Sequence, residues 1–121
     1  MILIVDDQKD SGTGLERLLH YAGHEAVSVT GGAEALAMLH VRKPALLVLD
    51  VNMPEMDGYR TTMEIRKMPE PWCNLPIIAL TADAMKGDRE KCLEAGMNKY
   101  ISKPFKLEEI DEVLRSYLLV V

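Results

Sequence analysis

The sequence predicts an α/β fold in which five parallel strands alternate with five helices. Short apolar runs of strand length recur along the chain, segments of helical periodicity separate them, and glycine or proline stands at many of the boundaries. Strict alternation of this kind is typical of a parallel sheet covered by helices on both faces. Because crossovers between parallel strands are right-handed, few topologies remain, and we expect the doubly wound, flavodoxin-like strand order 2-1-3-4-5.

The strands are predicted from five runs along the chain: Ile2–Val5, Ala26–Val29, Leu46–Leu49, Ile77–Leu80 and Tyr100–Ser102. The first, third and fourth are apolar throughout, as expected of parallel strands buried on both faces. The fifth is shorter and less apolar. No linker or second domain is visible in the sequence, so residues 1–121 are expected to form one domain.

The first predicted helix has leucine and alanine at helical spacing between residues 15 and 22, and Gly23 is expected to stop it. Gly12 and Gly14 lie near its start, and each costs about 1 kcal/mol relative to alanine in a helix interior. We therefore expect this helix to begin late or to fray.

Four further helices follow from similar spacing. The second carries Ala33, Leu36, Ala37 and Val41 and ends before Pro44, and the third opens at Met56-Asp57-Gly58 with Tyr59, Met63 and Arg66 on one side. The last two are predicted at Ala84–Ala95, stopped by Gly96, and at Leu107–Leu119.

Composition excludes several classes of function. The apolar fraction of 48% and the charged fraction of 27% are ordinary for a globular protein, and the net charge of −5 argues against direct nucleic-acid binding. No apolar run approaches the roughly 18 residues of a membrane span. Cys73 and Cys92 are not spaced for zinc with the three histidines, so we expect reduced thiols and a cytoplasmic protein.

Acidic residues stand where the first and third strands end. Asp6 and Asp7 follow the first strand and Asp50 follows the third, so the predicted topology brings three carboxylates together. Mg²⁺ takes six oxygen ligands at about 2.1 Å, including one or two carboxylates. One residue of the adjacent pair would point toward the cation and the other act through water, and the Asn52 carbonyl could add a ligand. An acidic cap on the next helix explains the Asp6–Asp7 pair equally well.

A hydroxyl and an ammonium follow the last two strands. Thr81 could donate a hydrogen bond to a phosphoryl oxygen, although a threonine there is more often a turn residue. Lys103 precedes Pro104, at a bond where the cis form costs only about 0.5–1 kcal/mol, and a cis bond would aim the lysine into the crevice. Together with the carboxylates, these groups suit a divalent cation and a phosphoryl group.

These segments resemble the response-regulator receiver domain of two-component signalling, and the resemblance covers the whole chain. The pattern is closest to receivers of hybrid histidine kinases and to stand-alone receivers. It is carried by Ile2-Leu-Ile-Val-Asp-Asp7, Leu49-Asp50-Val-Asn-Met-Pro54, Met56-Asp-Gly58, Ala79-Leu-Thr-Ala82, Ala84-Met-Lys-Gly-Asp88 and Tyr100-Ile-Ser-Lys-Pro-Phe105.

The resemblance implies that Asp50 accepts a phosphoryl group from a phosphohistidine, so the chain would catalyse only its own phosphorylation and dephosphorylation. Mg²⁺, for which Mn²⁺ is expected to substitute, would be held by Asp7, Asp50 and the Asn52 carbonyl, with Asp6 acting through water. Lys103, Thr81 and the Ala82 backbone N–H would bind the phosphoryl oxygens.

The resemblance also implies a conformational switch and a lifetime for the phosphorylated state. Tyr100 would turn inward as Thr81 moves toward the phosphoryl group, changing the face formed by the fourth helix, fifth strand and fifth helix. Residues on or near that face include Met85, Lys86, Lys91, Tyr100 and Glu109. Asn52 and Asp83 would position the hydrolytic water; both are small and polar, which favours an acyl phosphate of ordinary lifetime.

The implied partners are a histidine kinase or histidine phosphotransfer protein and a downstream protein. We expect direct binding to neither nucleic acid nor membrane, and a homodimer that forms on phosphorylation is possible. One segment departs from the hybrid-kinase pattern, because Gln8-Lys9-Asp10-Ser11 replaces the usual Asp-Asn-x-x-Asn after the acidic pair. It leads into the first helix, where a partner's histidine-bearing bundle docks in the family.

Two alternatives remain. A phosphatase of the haloacid dehalogenase type also uses a strand-end aspartate, but it requires a second aspartate as general acid two residues later, where this chain has Asn52. A receiver-like interaction module that is never phosphorylated would not need all of the residues present here. Binding of beryllofluoride in the presence of Mg²⁺ separates the second alternative from a working phosphoacceptor.

Overall fold

The computed structural model describes residues 1–50, 58–69, 71–81 and 88–118. It contains one sheet of five parallel strands in the order β2-β1-β3-β4-β5, which confirms the predicted topology. The strands are β1 (Ile2–Val5), β2 (Ala26–Val29), β3 (Leu46–Asp50), β4 (Ile77–Thr81) and β5 (Lys99–Ser102).

Five helices connect and follow the strands in the described ranges. They are α1 (Lys9–Tyr21), α2 (Gly32–Arg42), α3 (Gly58–Arg66), α4 (Asp88–Ala95) and α5 (Leu107–Leu118), with a short 3-10 turn at Trp72–Asn74. Among the residues described, none of these helices has the length and apolar character needed to cross a bilayer.

Two apolar cores cover the faces of the sheet. Successive strand residues point to opposite faces, so Leu3 and Val5 join the core under α2, α3 and α4, whereas Ile2 and Ile4 join the core under α1 and α5. β1, β3 and β4 are buried along their whole length. This burial on both faces explains why their sequences are continuously apolar.

The start of α1 was predicted wrongly. The helix begins at Lys9, well before Gly12 and Gly14, instead of starting late. Gly12 is buried, and a Cβ atom placed on it would lie 3.3 Å from the Ser28 Cβ and 3.7 Å from the Asp6 Cβ. Close packing of the helix on the sheet therefore overrides the poor helix propensity of glycine.

The buried sides of α2 and α3 differ from the apolar positions read in the sequence. The core side of α2 carries Ala35 and Leu39, while Val41 is 74% exposed. In α3 the buried residues include Thr61, Thr62 and Ile65. The helices exist as predicted, but which of their sides faces the sheet depends on packing that the local pattern does not specify.

Candidate functional site at the carboxyl end of the sheet

Three aspartates meet at the carboxyl ends of β1 and β3. Val5 pairs with Leu49 in the sheet, so the positions that follow, Asp6 and Asp50, are neighbours across the two strands. One carboxylate oxygen from each of Asp6, Asp7 and Asp50 lies within 4.8 Å of the others. Asp6 and Asp50 are buried, at 4% and 5% exposure, whereas Asp7 is more exposed. The cluster predicted from the sequence is thus present.

The environment of Asp6 disfavours its charge. Burial raises the pKa of the Asp6 carboxyl above its ordinary value, and the negative charges of Asp50 and Asp7 raise it further. The Gln8 backbone N–H, which donates to Asp6 Oδ1 at 2.9 Å, and the Lys103 ammonium act in the opposite direction. Burial and the neighbouring acids prevail, so the pKa of Asp6 is raised despite the nearby ammonium.

Lys103 supplies a cation at this cluster. Its Nζ lies 3.4 Å from Asp50 Oδ2, and the Lys103–Pro104 peptide bond is cis. A charge-assisted hydrogen bond normally measures about 2.7–2.9 Å, so this contact is long. The Lys103 side chain is also 35% exposed. The ammonium therefore neutralises Asp50 in part while it can still turn toward a ligand.

The side chains of Thr81 and Tyr100 lie on the face of the sheet that α2, α3 and α4 cover. Tyr100 pairs with Ala79 and packs against the core under α3 and α4, and Thr81 lies two residues beyond Ala79 on the same strand. Because side chains alternate between faces, Thr81 and Tyr100 project to the same side. Thr81 is fully buried, and Tyr100 is half-buried.

Several predicted site residues lie outside the described residues. These are the Asn52 carbonyl as a ligand, the Ala82 backbone N–H as a phosphoryl donor, and Asn52 and Asp83 as the pair that tunes dephosphorylation. Met85 and Lys86 of the proposed signalling face also lie there.

The cleft above the cluster has walls that the sequence did not indicate. A cavity of about 220 Å³ is lined by the three aspartates and Lys103 together with Gln8 and Ser11. Ser11 lies one helical turn after Asp7, and this spacing at the start of α1 is the signal that could have identified it.

An apolar groove adjoins the cleft along α1. Its volume is about 350 Å³, and most of its wall comes from α1 and from the loop after β5: Ser11, Gly14, Leu15, Leu18, Pro104 and Phe105. Leu18 is 45% exposed there.

The oxygen donors fit a small divalent cation. Cis ligands in an octahedron with bonds of about 2.1 Å are about 3.0 Å apart and trans ligands about 4.2 Å. Carboxylate oxygens within 4.8 Å of one another need only a small contraction to reach those separations. The raised pKa of Asp6 adds an electrostatic reason, since a cation would relieve the repulsion that causes part of it.

Comparison with known proteins identifies the family. Residues 2–115 match the model of the response regulator receiver domain. The chain belongs to this family. Over 97% of its length the domain is 41% identical to a probable transcriptional regulator, ycf27, of Cyanophora paradoxa and 38% identical to the sensor histidine kinase RcsC of Escherichia coli. It spans only 47% of the first relative and 12% of the second.

Solved receiver structures share the fold. A putative response regulator from Chloroflexus aurantiacus superimposes with a TM-score of 0.90 at 35% identity, covering 97% of this chain and 95% of that one. The receiver domain of a sensor histidine kinase from Pseudomonas aeruginosa gives a TM-score of 0.88 at 39% identity with the same coverage. That receiver was solved with a magnesium ion coordinated in its active-site cleft.

Proposed function

We propose that this receiver domain takes a phosphoryl group from a phosphohistidine onto Asp50 in a reaction that depends on a divalent cation. The observation that carries the proposal is the convergence of three carboxylates and one ammonium at a single cleft, with Lys103 Nζ 3.4 Å from Asp50 Oδ2. The domain would catalyse only its own phosphorylation and dephosphorylation.

The chemistry assigned to Asp50 is nucleophilic attack. A carboxylate oxygen forms a bond to phosphorus, the P–N bond to the donor imidazole breaks, and the electron pair of that bond goes to the imidazole nitrogen. Negative charge then develops on the three equatorial oxygens. Lys103 is placed to neutralise part of it, and Thr81 with the Ala82 backbone N–H is proposed to bind the remaining oxygens.

A Mg²⁺ ion, for which Mn²⁺ is expected to substitute, would supply positive charge to the phosphoryl oxygens. Asp7, Asp50 and the Asn52 carbonyl are proposed to hold it directly, with Asp6 acting through water. The burial of Asp6 beside Asp50 supports this assignment, because two buried acids without a cation repel each other.

The proposed signal leaves the site through Thr81 and Tyr100. Their side chains project to the same face of β4 and β5, so a displacement of Thr81 toward a phosphoryl oxygen would open space beside Tyr100. The population of the packing in which Tyr100 turns inward would then rise at the face formed by α4, β5 and α5. Asn52 and Asp83 are proposed to leave water access, which gives the acyl phosphate an ordinary lifetime.

The proposed phosphodonor is a histidine kinase or a histidine phosphotransfer protein. The apolar groove along α1 supports it, because this groove opens beside the cleft and would accept the helix that carries the histidine. A downstream protein would receive the signal, and a homodimer that forms on phosphorylation is part of the same proposal. Both cysteines are thiols, which supports a cytoplasmic setting.

The decisive variant is Asp50→Asn. We expect this change to abolish Mg²⁺-dependent labelling by a small phosphodonor such as acetyl phosphate, because an amide is not a nucleophile toward phosphorus. Labelling is measured by phosphate-affinity electrophoresis and intact-protein mass spectrometry. Using a small donor removes any contribution of partner docking to the result.

Asp10→Asn is the matched control. Asp10 is an exposed aspartate in the first turn of α1, and its substitution removes the same charge as Asp50→Asn does. It should be labelled at the wild-type rate. Undiminished labelling of Asp50→Asn would refute the assignment of the phosphoacceptor. Failure of the wild type to accept a phosphoryl group or to bind beryllofluoride would favour a receiver-like module that is never phosphorylated.

A further inference from the structure

One edge of the sheet is formed by β2, which pairs only with β1 among the described strands. The Ile2 N–H donates to the Glu25 carbonyl and the Asp6 N–H donates to the Val29 carbonyl. In a parallel ladder alternate residues use their backbone groups toward the neighbouring strand. The backbone groups of Ala26 and Ser28 therefore point away from the sheet.

Two side chains of α1 reach these outward groups. Glu16 Oε2 accepts hydrogen bonds from the Ser28 N–H at 3.0 Å and from the Ser28 hydroxyl at 2.9 Å. His20 Nε2 lies 3.0 Å from the Ala26 carbonyl oxygen. Because a carbonyl only accepts, this ring nitrogen must carry the hydrogen and donate it. Glu16 and His20 are four residues apart and thus neighbours on the helix surface.

Gly12 allows α1 to approach β2 closely. A Cβ atom on Gly12 would lie only 3.3 Å from the Ser28 Cβ, closer than such atoms normally approach. One turn further along the helix, Glu16 meets the backbone of the same Ser28. A glycine at this position therefore favours the short distance between the helix and the edge strand.

β2 carries no charge of its own that would keep other strands away. Its sequence is Ala-Val-Ser-Val, in which Val27 and Val29 are β-branched and half-buried. Without cover from another element, such an edge strand is a template for strand addition. The opposite edge strand, β5, begins with the exposed Lys99, a charge that disfavours strand addition.

We propose that Glu16 and His20 act as a latch that closes the β2 edge against strand addition by a second copy of this chain. An incoming strand must hydrogen-bond to the Ala26 carbonyl and the Ser28 N–H, and the latch occupies both. A second copy is the expected occupant, because every copy presents the same uncharged edge. This role is independent of phosphoryl transfer and does not rest on the proposed function.

The test is the double change Glu16→Ala/His20→Ala. We expect its self-association constant, measured by sedimentation equilibrium, to exceed that of the wild type by about tenfold or more. In the monomer, the Ser28 amide should exchange its hydrogen about tenfold faster, because its acceptor is gone. In the associated species, the Ser28 amide should become protected again as it pairs with the added strand.

Glu34→Ala is the matched control. Glu34 is an α2 glutamate that accepts from the exposed Thr30 hydroxyl, so its loss changes the charge equally and leaves β2 untouched. This variant should stay as monomeric as the wild type. A folded double variant whose association and Ser28 exchange equal those of the wild type would overturn the latch. If the double variant does not fold, the single change Glu16→Ala is measured instead. Hydrogen exchange of the Ser28 amide at the wild-type rate in this variant would also overturn the latch.

Discussion

Charged side chains have different surroundings at the two ends of the parallel sheet. At the carboxyl ends of the strands, three aspartates cluster beside Lys103, whose ammonium lies 3.4 Å from Asp50, and burial raises the pKa of Asp6. Near the amino ends, half-buried and exposed charged groups have close partners. The cluster of acids coincides with the proposed site, while the paired charges near the amino ends stabilise the fold.

Arg66 is the centre of the opposite end. Its guanidinium donates to the Gly96, Cys73 and Leu75 carbonyls at 2.8, 3.1 and 2.8 Å, and to Asn98 Oδ1 at 2.9 Å. The same Asn98 oxygen accepts the Ile77 N–H at the start of β4. One arginine therefore joins the end of α3 to the loops that precede β4 and β5, and burial lowers its pKa without removing its charge.

A second ion group joins the loop between α1 and β2 to α5. Asp111 accepts from His24 at 2.6 Å and from Arg115 at 2.9 and 3.0 Å, and these bonds lower the pKa of the Asp111 carboxyl. Asp6 and Asp111 are thus the same residue type with opposite pKa displacements. The difference teaches that the surroundings determine the pKa of a carboxyl group: burial raises it at Asp6, and hydrogen bonds from His24 and Arg115 lower it at Asp111.

Removal of Arg66 should have the largest effect on stability. We expect Arg66→Ala to lower the free energy of unfolding by about 2–4 kcal/mol, because several backbone carbonyls lose a charged donor at once. Arg66→Lys should recover only a small part, since an ammonium cannot reproduce the planar fork. Urea denaturation followed by circular dichroism measures both.

Lys67→Ala is the control for this comparison, because the neighbouring Lys67 is exposed and its ion pair with Glu64 is 4.0 Å long. Its stability should change by no more than about 0.5 kcal/mol. An equal, small effect of Arg66→Ala would show that the amino-terminal end does not depend on this arginine.

At the carboxyl end, neutralising one acid should stabilise the protein in metal-free buffer. Asp6→Asn keeps an oxygen acceptor for the Gln8 N–H but removes the buried charge, so we expect a higher free energy of unfolding at neutral pH. Mg²⁺ at ten times its dissociation constant should stabilise the wild type by about 1.4 kcal/mol. The variant should gain less. Thermal unfolding with and without Mg²⁺ measures both effects. If Asp6→Asn lost stability in metal-free buffer, the charge of Asp6 would not be destabilising as proposed.

The smallest expected effect concerns pH. Because the folded-state pKa of Asp6 lies above its ordinary value of 3.8, its contribution weakens stability as pH rises from 3.8 through the raised pKa. The pKa of Asp111 lies below 3.8, so its contribution is present above 3.8 and is lost as pH falls through the lowered pKa. Asp6→Asn should flatten the first slope and Asp111→Asn the second.

Unfolding temperatures across the acidic range in metal-free buffer measure these slopes, with each variant compared with the wild type. If both variants changed the same part of the profile, in the same direction, the two aspartates would not differ as their surroundings indicate.

Local patterns sufficed for much of the fold. Continuous apolar runs mark buried parallel strands, and the residues that end β1 and β3 were predicted to meet because parallel topology brings their carboxyl ends to one edge. The acidic cluster could thus be predicted from Asp6, Asp7 and Asp50. Its wall at Gln8 could not, because nothing in the local sequence marks this side chain as part of a cleft, and Ser11 was missed although it lies one helical turn after Asp7.

The early start of α1 shows where local reasoning failed. Propensity alone counts Gly12 as a cost, but in the folded chain its missing Cβ permits contact with Ser28. The sides that α2 and α3 bury were also decided by packing, since α2 has apolar residues on more than one side and α3 buries two threonines.

By itself, the sequence determined the fold class, the strand order and the chemical groups at the strand ends, because these depend on the hydrophobic period and on chain topology. Only the tertiary structure decided the contacts of Arg66 with three carbonyls and of Glu16 and His20 with the β2 edge. Such contacts join a helix to a strand or loop outside it through long side chains, and their geometry exists only once helices have packed against the sheet.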